Sequence, residues 1–168
     1  MRQIVLIAHN LRSAHNVGSL LRTAEGLGVQ KVYLTGYSPY PKQIEDTRLP
    51  HIANKVHDRI AKTALGAEST ISHHQQDDVF GLIKELRDRG YTITALEQSP
   101  KAVNLTDYKP EDKIVLIVGS EVEGIEPEVL ETVNEIIQIP MFGKKESFNV
   151  AQAAAMALYH LKFTRDWF

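Results

Sequence analysis

Short, continuously apolar runs alternate with helical patterns along the chain, and this alternation restricts the fold more than any other feature. Ile4–Ala8 and Ile114–Val118 are apolar at every position, as expected for central strands that are covered on both faces. Further strands are predicted at Val32–Leu34, Thr92–Leu96 and Ile136–Ile139. Helices are predicted at 17–27, about 55–65, about 78–89, about 127–132 and about 149–163. The pattern predicts an α/β fold in which a parallel sheet carries helices on both faces.

The composition fits one globular domain that spans residues 1–168. The absence of cysteine excludes disulfides, thiolate metal sites and cysteine nucleophiles. The first apolar run is too short for a signal peptide, and no run approaches the roughly 20 residues that a membrane span needs. We therefore expect a cytoplasmic protein with no membrane contact. The longest irregular stretch, residues 35–54, contains three prolines and is a candidate substrate loop.

Charge is distributed unevenly along the chain, although the formal net charge is only −2. Residues 1–62 contain nine Lys and Arg against four Asp and Glu, whereas residues 63–168 contain ten against seventeen. One interpretation is a basic face suited to nucleic acid on an otherwise acidic body. The other is chance clustering of solvated charges, and charge alone does not decide between them.

The segment from Asn16 to Arg22 is the first candidate for function. A helix here would turn one apolar stripe toward the core, formed by Val17, Leu20, Leu21, Ala24 and Gly28. Asn16 is predicted to be the N-cap. Arg22 would lie on the polar side in line with Gly18, where bare backbone would let a ribose or phosphate approach the guanidinium. Taken alone, the segment is better explained by a helix cap, a tolerated glycine and a solvated arginine.

Three loops follow predicted strands in the second half of the chain, at Glu97–Pro100, Gly119–Gly124 and Met141–Glu146. Because ligands in open α/β sheets bind beyond the carboxyl ends of the strands, these loops are predicted to form one pocket. The glycines permit close backbone approach, but no dinucleotide fingerprint or P-loop is present. Ser147 and Asn149 begin the last helix, where free amides attract anionic groups or where either residue simply caps the helix.

Together the Asn16–Arg22 and Gly119–Asn149 segments resemble the SpoU/TrmH branch of the SPOUT RNA methyltransferases. The family's Gly-x-Glu-x-x-Gly loop is matched by Gly119, Glu121 and Gly124, while Phe148 stands where the family usually has leucine. The resemblance implies a deep trefoil knot near the C-terminus, an exception to the rule that chains do not thread their own loops. It also implies methyl transfer from S-adenosyl-L-methionine to a ribose 2′-hydroxyl of RNA by a homodimer.

The resemblance also implies a set of site residues. The catalytic residues carried over are Asn16, Arg22, Glu121, Ser147 and Asn149. The residues carried over to the cofactor are Leu96, Glu97, Gly119, Ser120, Glu121, Gly124, Ile139, Met141, Ser147, Phe148 and Asn149. The family assigns its arginine to activating the hydroxyl. Since arginine has a pKa above about 12 and no free lone pair, we expect Arg22 to stabilise the developing oxyanion and to clamp phosphate.

The sequence leaves the RNA open. We expect no appended RNA-binding domain of the kind that many relatives carry, and this expectation favours a compact tRNA over rRNA as the substrate. The alternatives are an rRNA 2′-O-methyltransferase, a base-methylating SPOUT enzyme, a non-catalytic RNA-binding relative and a nucleotide-dependent oxidoreductase. No metal site is expected, because the adjacent His73 and His74 do not have metal-ligand spacing.

Overall fold

Residues 2–164, the part of the chain that the computed structural model describes, form a seven-stranded sheet with helices on both faces. The strands are β1 (Gln3–His9), β2 (Lys31–Thr35), β3 (His73–Gln76), β4 (Thr92–Leu96), β5 (Val103–Asn104), β6 (Lys113–Val118) and β7 (Glu135–Gln138). The helices are α1 (Ala14–Gly26), α2 (Pro50–Ala64), α3 (Ala67–Thr70), α4 (Val79–Asp88), α5 (Pro127–Leu130) and α6 (Val150–Phe163), with a 3-10 turn at Leu105–Asp107. Among these helices, none combines the length and the hydropathy that a bilayer crossing needs.

The strand order is β3-β2-β1-β6-β4-β7-β5, and every pairing between these strands is parallel. Successive residues of β1 and β6 alternate between two buried cores, one on each face of the sheet. Leu20, Ile60 and Leu158 bring α1, α2 and α6 to one core. Leu82 and Val129 bring α4 and α5 to the other. The predicted parallel sheet with helices on both faces is therefore confirmed, whereas the implied trefoil knot stays a prediction.

Arg2 fixes the direction of α6. Its guanidinium donates to the carbonyl of Pro110 over 3.1 Å, to that of Leu161 over 3.4 Å, and to that of Thr164. A cation is favourable at a helix C-terminus because the last carbonyls are unpaired and carry the negative end of the helix dipole. With its C-terminus held beside the start of β1, α6 begins at the opposite edge of the sheet, where the strands end.

Helix α1 begins earlier than the sequence predicted, and its cap is a different residue. Ser13 is the N-cap, and its hydroxyl accepts a hydrogen bond from the backbone amide of Asn16 over 3.2 Å. The prediction that Asn16 caps the helix was wrong, because the helix begins at Ala14 and Asn16 is its third residue. Asn16 lies within the first turn, so its side chain is available for contacts elsewhere.

Gly18 is also not an open stretch of backbone, as the sequence had suggested. It is buried, and a Cβ at this position would overlap the Thr63 hydroxyl and the Ile60 carbonyl of α2. The glycine therefore permits close packing of α1 on α2 rather than approach by a ligand. The predicted apolar stripe is buried at Val17, Leu20, Leu21 and Ala24. Gly28 instead lies beyond the helix, with φ of 64°.

The irregular stretch is shorter than predicted, because Pro50 already begins α2. A proline fits the first helical turn, where its missing N–H would have no partner. Within the loop, Arg48 lies 3.6 Å from the centre of the Tyr40 ring and pairs with Asp46 over 2.6 Å.

Strand β3 (His73–Gln76) was not predicted, because its polar sequence lacks the apolar pattern of a covered strand.

Candidate active site

A cavity of about 470 Å³ opens at the carboxyl edge of the sheet, where β4, β6 and β7 end and α6 begins. This volume lies within the range of small-molecule sites in proteins. Residues carried over to the cofactor lie around it: Leu96, Glu97, Gly119, Ser120, Glu121, Gly124, Ile139, Ser147, Phe148 and Asn149. The cavity is also lined by Gln98, Val122 and Glu123, which belong to two of the loops predicted to form the pocket. Lining residues that the sequence did not predict are Val118, Gln138, Val150 and Ala153.

The loop after β6 closes into a tight turn on one wall of this cavity. Ser120 and Gly124 exchange two backbone hydrogen bonds of 3.0 Å each. A Cβ on Gly119 would lie 2.6 Å from the Gly124 backbone, and Gly124 itself has φ of 72°. Both positions therefore require glycine, one for close approach and one for left-handed backbone.

Glu97 braces this turn from the end of β4. Its carboxylate accepts from the Ile125 amide over 2.9 Å and from the Gln98 amide over 2.9 Å. A Cβ on Gly124 would collide with one of the Glu97 carboxylate oxygens. The side chain lines the cavity, and it also shapes the cavity by holding the glycine turn.

Glu121 joins the glycine turn to the start of α1. Its carboxylate accepts from the Arg12 amide over 2.8 Å, from the Ser13 amide over 3.1 Å, and from Asn16 Nδ2 over 2.9 Å. Burial opposes the charge, but these donors outweigh it, so the pKa of the Glu121 carboxyl is lowered. The residue is thus ionised near neutral pH and acts as an acceptor alone.

Asn16 also forms a hydrogen bond with the residue that begins α6, and so links Glu121 to that helix. Asn149 donates from Nδ2 to Asn16 Oδ1 over 3.2 Å, and its own Oδ1 caps α6 by accepting from the Ala151 and Gln152 amides. The structure thus unites three of the predicted catalytic residues in one hydrogen-bonded series at the mouth of the cavity. We call Glu121, Asn16 and Asn149 the carboxylate–amide relay.

The other predicted site residues are placed differently. Arg22 is exposed on α1, and within residues 2–164 its guanidinium has neither a hydrogen-bond nor an ion-pair partner. Ser147 and Phe148 are exposed and line the cavity, but the structure does not connect them to the relay by hydrogen bonds between described residues. Met141 is partly buried and is not among the lining residues.

A second set of contacts, which sequence reasoning missed, joins the end of β1 to the segment that follows the glycine turn. Asn10 Nδ2 donates to Glu126 Oε1, and Glu126 Oε2 lies 3.2 Å from His9 Nε2. Asn10 adopts φ of 53°, a left-handed conformation that asparagine tolerates better than most residues. Burial lowers the pKa of His9, although the Glu126 carboxylate opposes that shift. The available signal was an asparagine directly after a buried strand, a common way to start a turn.

No group of three His, Cys, Asp or Glu side chains within residues 2–164 is arranged to hold a metal ion.

Comparison with known proteins places this geometry in a family. Residues 3–159 match the model of the SpoU rRNA Methylase family. The chain belongs to the SpoU rRNA methylase family. The assignment that the Asn16–Arg22 and Gly119–Asn149 segments predicted is thus confirmed.

Individual SpoU relatives resemble the chain over nearly its whole length. It is 27% identical over 165 residues to the tRNA (guanosine(18)-2′-O)-methyltransferase of Aquifex aeolicus strain VF5, covering 98% of this chain and 71% of that protein. It superposes on the A. aeolicus TrmH/SpoU tRNA modifying enzyme with a TM-score of 0.78 at 24% identity, over 96% of this chain and 75% of that one. An AdoMet-bound rRNA methyltransferase from Sinorhizobium meliloti gives a TM-score of 0.78 at 20% identity, over 95% and 55% of the two chains.

The chain spans 57% to 71% of the length of the similar curated proteins compared. Membership of the family and the fold follow from these likenesses.

Proposed function

We propose that the chain transfers a methyl group from S-adenosyl-L-methionine to a ribose 2′-hydroxyl of RNA, with tRNA as the favoured substrate. The observation that carries the proposal is the carboxylate–amide relay at the mouth of a small-molecule cavity in a SpoU-family fold. The relatives named above, one of which methylates the 2′-O position of a tRNA guanosine, support the same reaction.

The cavity suits the proposed cofactor in size and chemistry. Its wall near α6 is formed by the small or branched side chains of Val150 and Ala153, next to Leu96 and Ile139. Two required glycines bring bare backbone to the opposite wall, which is how proteins hold flat nucleosides through backbone groups. When bound, S-adenosyl-L-methionine supplies an electrophilic methyl group on a sulfonium centre.

The contributions of the chain itself are orientation and charge. The relay holds the N-terminus of α6 beside the glycine turn, so the positive end of the helix dipole lies at the cavity mouth. Arg22, which is exposed and unpaired within the described residues, is available for an RNA group. We assign it to stabilising negative charge on the ribose oxygen and to holding the neighbouring phosphate. Ser147 and Asn149 bound the same opening.

The proposed enzyme is a homodimer that pairs through α6. Met156, Tyr159 and Phe163 form an exposed apolar stripe on this helix, with exposures of 38%, 62% and 55%. Phe148, beside the cavity, is 40% exposed. A second copy would cover this stripe and complete the wall formed by exposed residues 147–149.

Two measurements test the proposal. Calorimetric titration with S-adenosyl-L-methionine in the presence of a chelator should show binding, because the cavity and not a metal holds the ligand. Mapping ribose methylation in RNA from cells that lack the gene should reveal one lost 2′-O-methyl group in tRNA. Loss of a methylated base instead, or a requirement for a divalent ion, would contradict the proposal, and loss from rRNA would correct the substrate.

A further inference from the structure

Three cations share one exposed face of α2. Lys55, Arg59 and Lys62 are all exposed, and at 100° per residue they lie within about 60° of one another around the helix. We call these three residues the α2 basic face. They belong to the basic first part of the chain, where nine Lys and Arg stand against four Asp and Glu.

The charges of the α2 basic face are uncompensated. Within residues 2–164, none of its three side chains forms an ion pair, although Asp58 lies on the same helix. Helix α4 on the opposite face of the sheet differs, since Lys84 pairs with Asp88 over 2.7 Å and Arg89 with Glu85 over 3.4 Å. Cations left without intramolecular partners on one helix, and paired on another, mark the first as a surface for an external anion.

One edge of the α2 basic face, at Arg59, lies beside the helix that carries Arg22. The Thr63 hydroxyl of α2 donates to the His15 carbonyl of α1 over 2.8 Å, so the two helices touch along the side of α2 that contains Thr63. Around α2, Arg59 lies about 40° from Thr63, whereas Asp58 lies about 140° away. Arg22 follows Gly18, the other close contact with α2, by one turn. The basic face and Arg22 therefore flank the same line of helix packing.

We propose that the α2 basic face binds the phosphate backbone of the substrate RNA and leads it to Arg22. The inference rests on the proposed function, because it assumes an RNA whose ribose reaches the carboxylate–amide relay. Successive cations on one helical lane lie about 6 Å apart, which suits successive phosphates of one strand. These contacts position the RNA without reading its bases. Asp58, four residues before Lys62, borders the edge of this face that is farther from α1, so the edge nearer α1, at Lys55 and Arg59, stays basic.

A salt series tests the inference. Binding of unfractionated tRNA to the wild type is compared with binding to Lys55→Gln/Arg59→Gln/Lys62→Gln. Each lost phosphate contact lowers the slope of log affinity against log salt by about 1. The triple variant should therefore lose about 2 to 3 in slope and at least tenfold in affinity at low salt. Its affinity for S-adenosyl-L-methionine and its kcat at saturating RNA should stay unchanged, while KM for RNA rises.

Two further variants serve as controls. Lys84→Gln/Arg89→Gln/Lys109→Gln makes the same change in net charge elsewhere and should keep the wild-type slope. Lys55→Arg/Arg59→Lys/Lys62→Arg preserves the charges and should also keep it, which separates charge from any loss of folding. A wild-type slope in Lys55→Gln/Arg59→Gln/Lys62→Gln would overturn the α2 proposal and leave the proposed function standing. Failure of the wild type to bind any tRNA or rRNA would instead overturn the proposed function, and the α2 proposal with it.

Discussion

Asn149 Nδ2 donates to Asn16 Oδ1 over 3.2 Å, although 133 residues separate the two along the chain. The side-chain amide of each asparagine can adopt only one orientation in this pair. Glu121 is an acceptor and fixes the Asn16 amide nitrogen, while the first amides of α6 fix the Asn149 oxygen. The bond therefore has a direction, from the start of α6 to the glycine turn, and it sets the position of α6 relative to the cavity.

Replacing Asn149 by aspartate should separate its two roles. Asn149→Asp keeps an oxygen that caps α6, so the free energy of unfolding should change by about 1 kcal/mol or less. The other oxygen would face Asn16 Oδ1, and Asn16 cannot turn without presenting its oxygen to Glu121. We expect the methylation rate, measured in a single turnover, to fall by at least tenfold. Urea unfolding of the same variant measures its stability. A methylation rate that stays at the wild-type value, with stability also unchanged, would show that Asn149 is a helix cap and nothing more.

Arg22→Ala should leave the affinity for S-adenosyl-L-methionine nearly unchanged, because Arg22 does not line the cavity. Its methylation rate should fall by about a hundredfold or more, as loss of an oxyanion donor typically causes. Arg22→Lys should recover part of the rate, because lysine keeps the charge but lacks the planar fork. Normal methylation by both variants, with stability changed by about 0.5 kcal/mol or less, would identify Arg22 as a solvated surface residue.

Gly18→Ala should destabilise the protein by about 1 to 3 kcal/mol, since the new methyl group overlaps the Thr63 hydroxyl and the backbone of α2. Gly26→Ala is the matched control on the same helix. A Cβ there meets nothing within 4 Å, so the better helix propensity of alanine should leave stability equal or higher by up to about 1 kcal/mol. Thermal unfolding of both variants compares them. A similar response at the two positions would contradict the packing of α1 on α2 at Gly18.

Stability should fall as pH decreases below neutrality. Burial lowers the pKa of His9 and of His73 from 6.5, and the opposing effects of Glu126 and of the Glu68 carbonyl are smaller. Between each folded pKa and 6.5 the unfolded chain binds more protons than the folded one. The stability from the neutral histidines is thus complete above 6.5 and is lost as pH falls through each folded pKa. Urea unfolding at pH 7.5, 6.0 and 5.0 should show this slope, and the double variant His9→Gln/His73→Gln should flatten it.

The sequence by itself determined the elements that rest on local patterns. Continuous apolar runs placed β1 and β6, because a strand covered on both faces has no polar side to show. Periodicity likewise placed α4 and α6 to within a residue or so. The Asn16–Arg22 and Gly119–Asn149 segments were sufficient to indicate the family.

Tertiary structure decided what the site residues do. Glu121 meets Asn16, 105 residues earlier, because β6 lies beside β1 in the sheet. Gly18 proved to be a packing position because α2 lies against it, and Glu97 supports the glycine turn because β4 lies next to β6. Periodicity records which face of an element is buried, but not which element covers it. Contacts between side chains distant in sequence depend on strand order and helix packing, which no local pattern encodes.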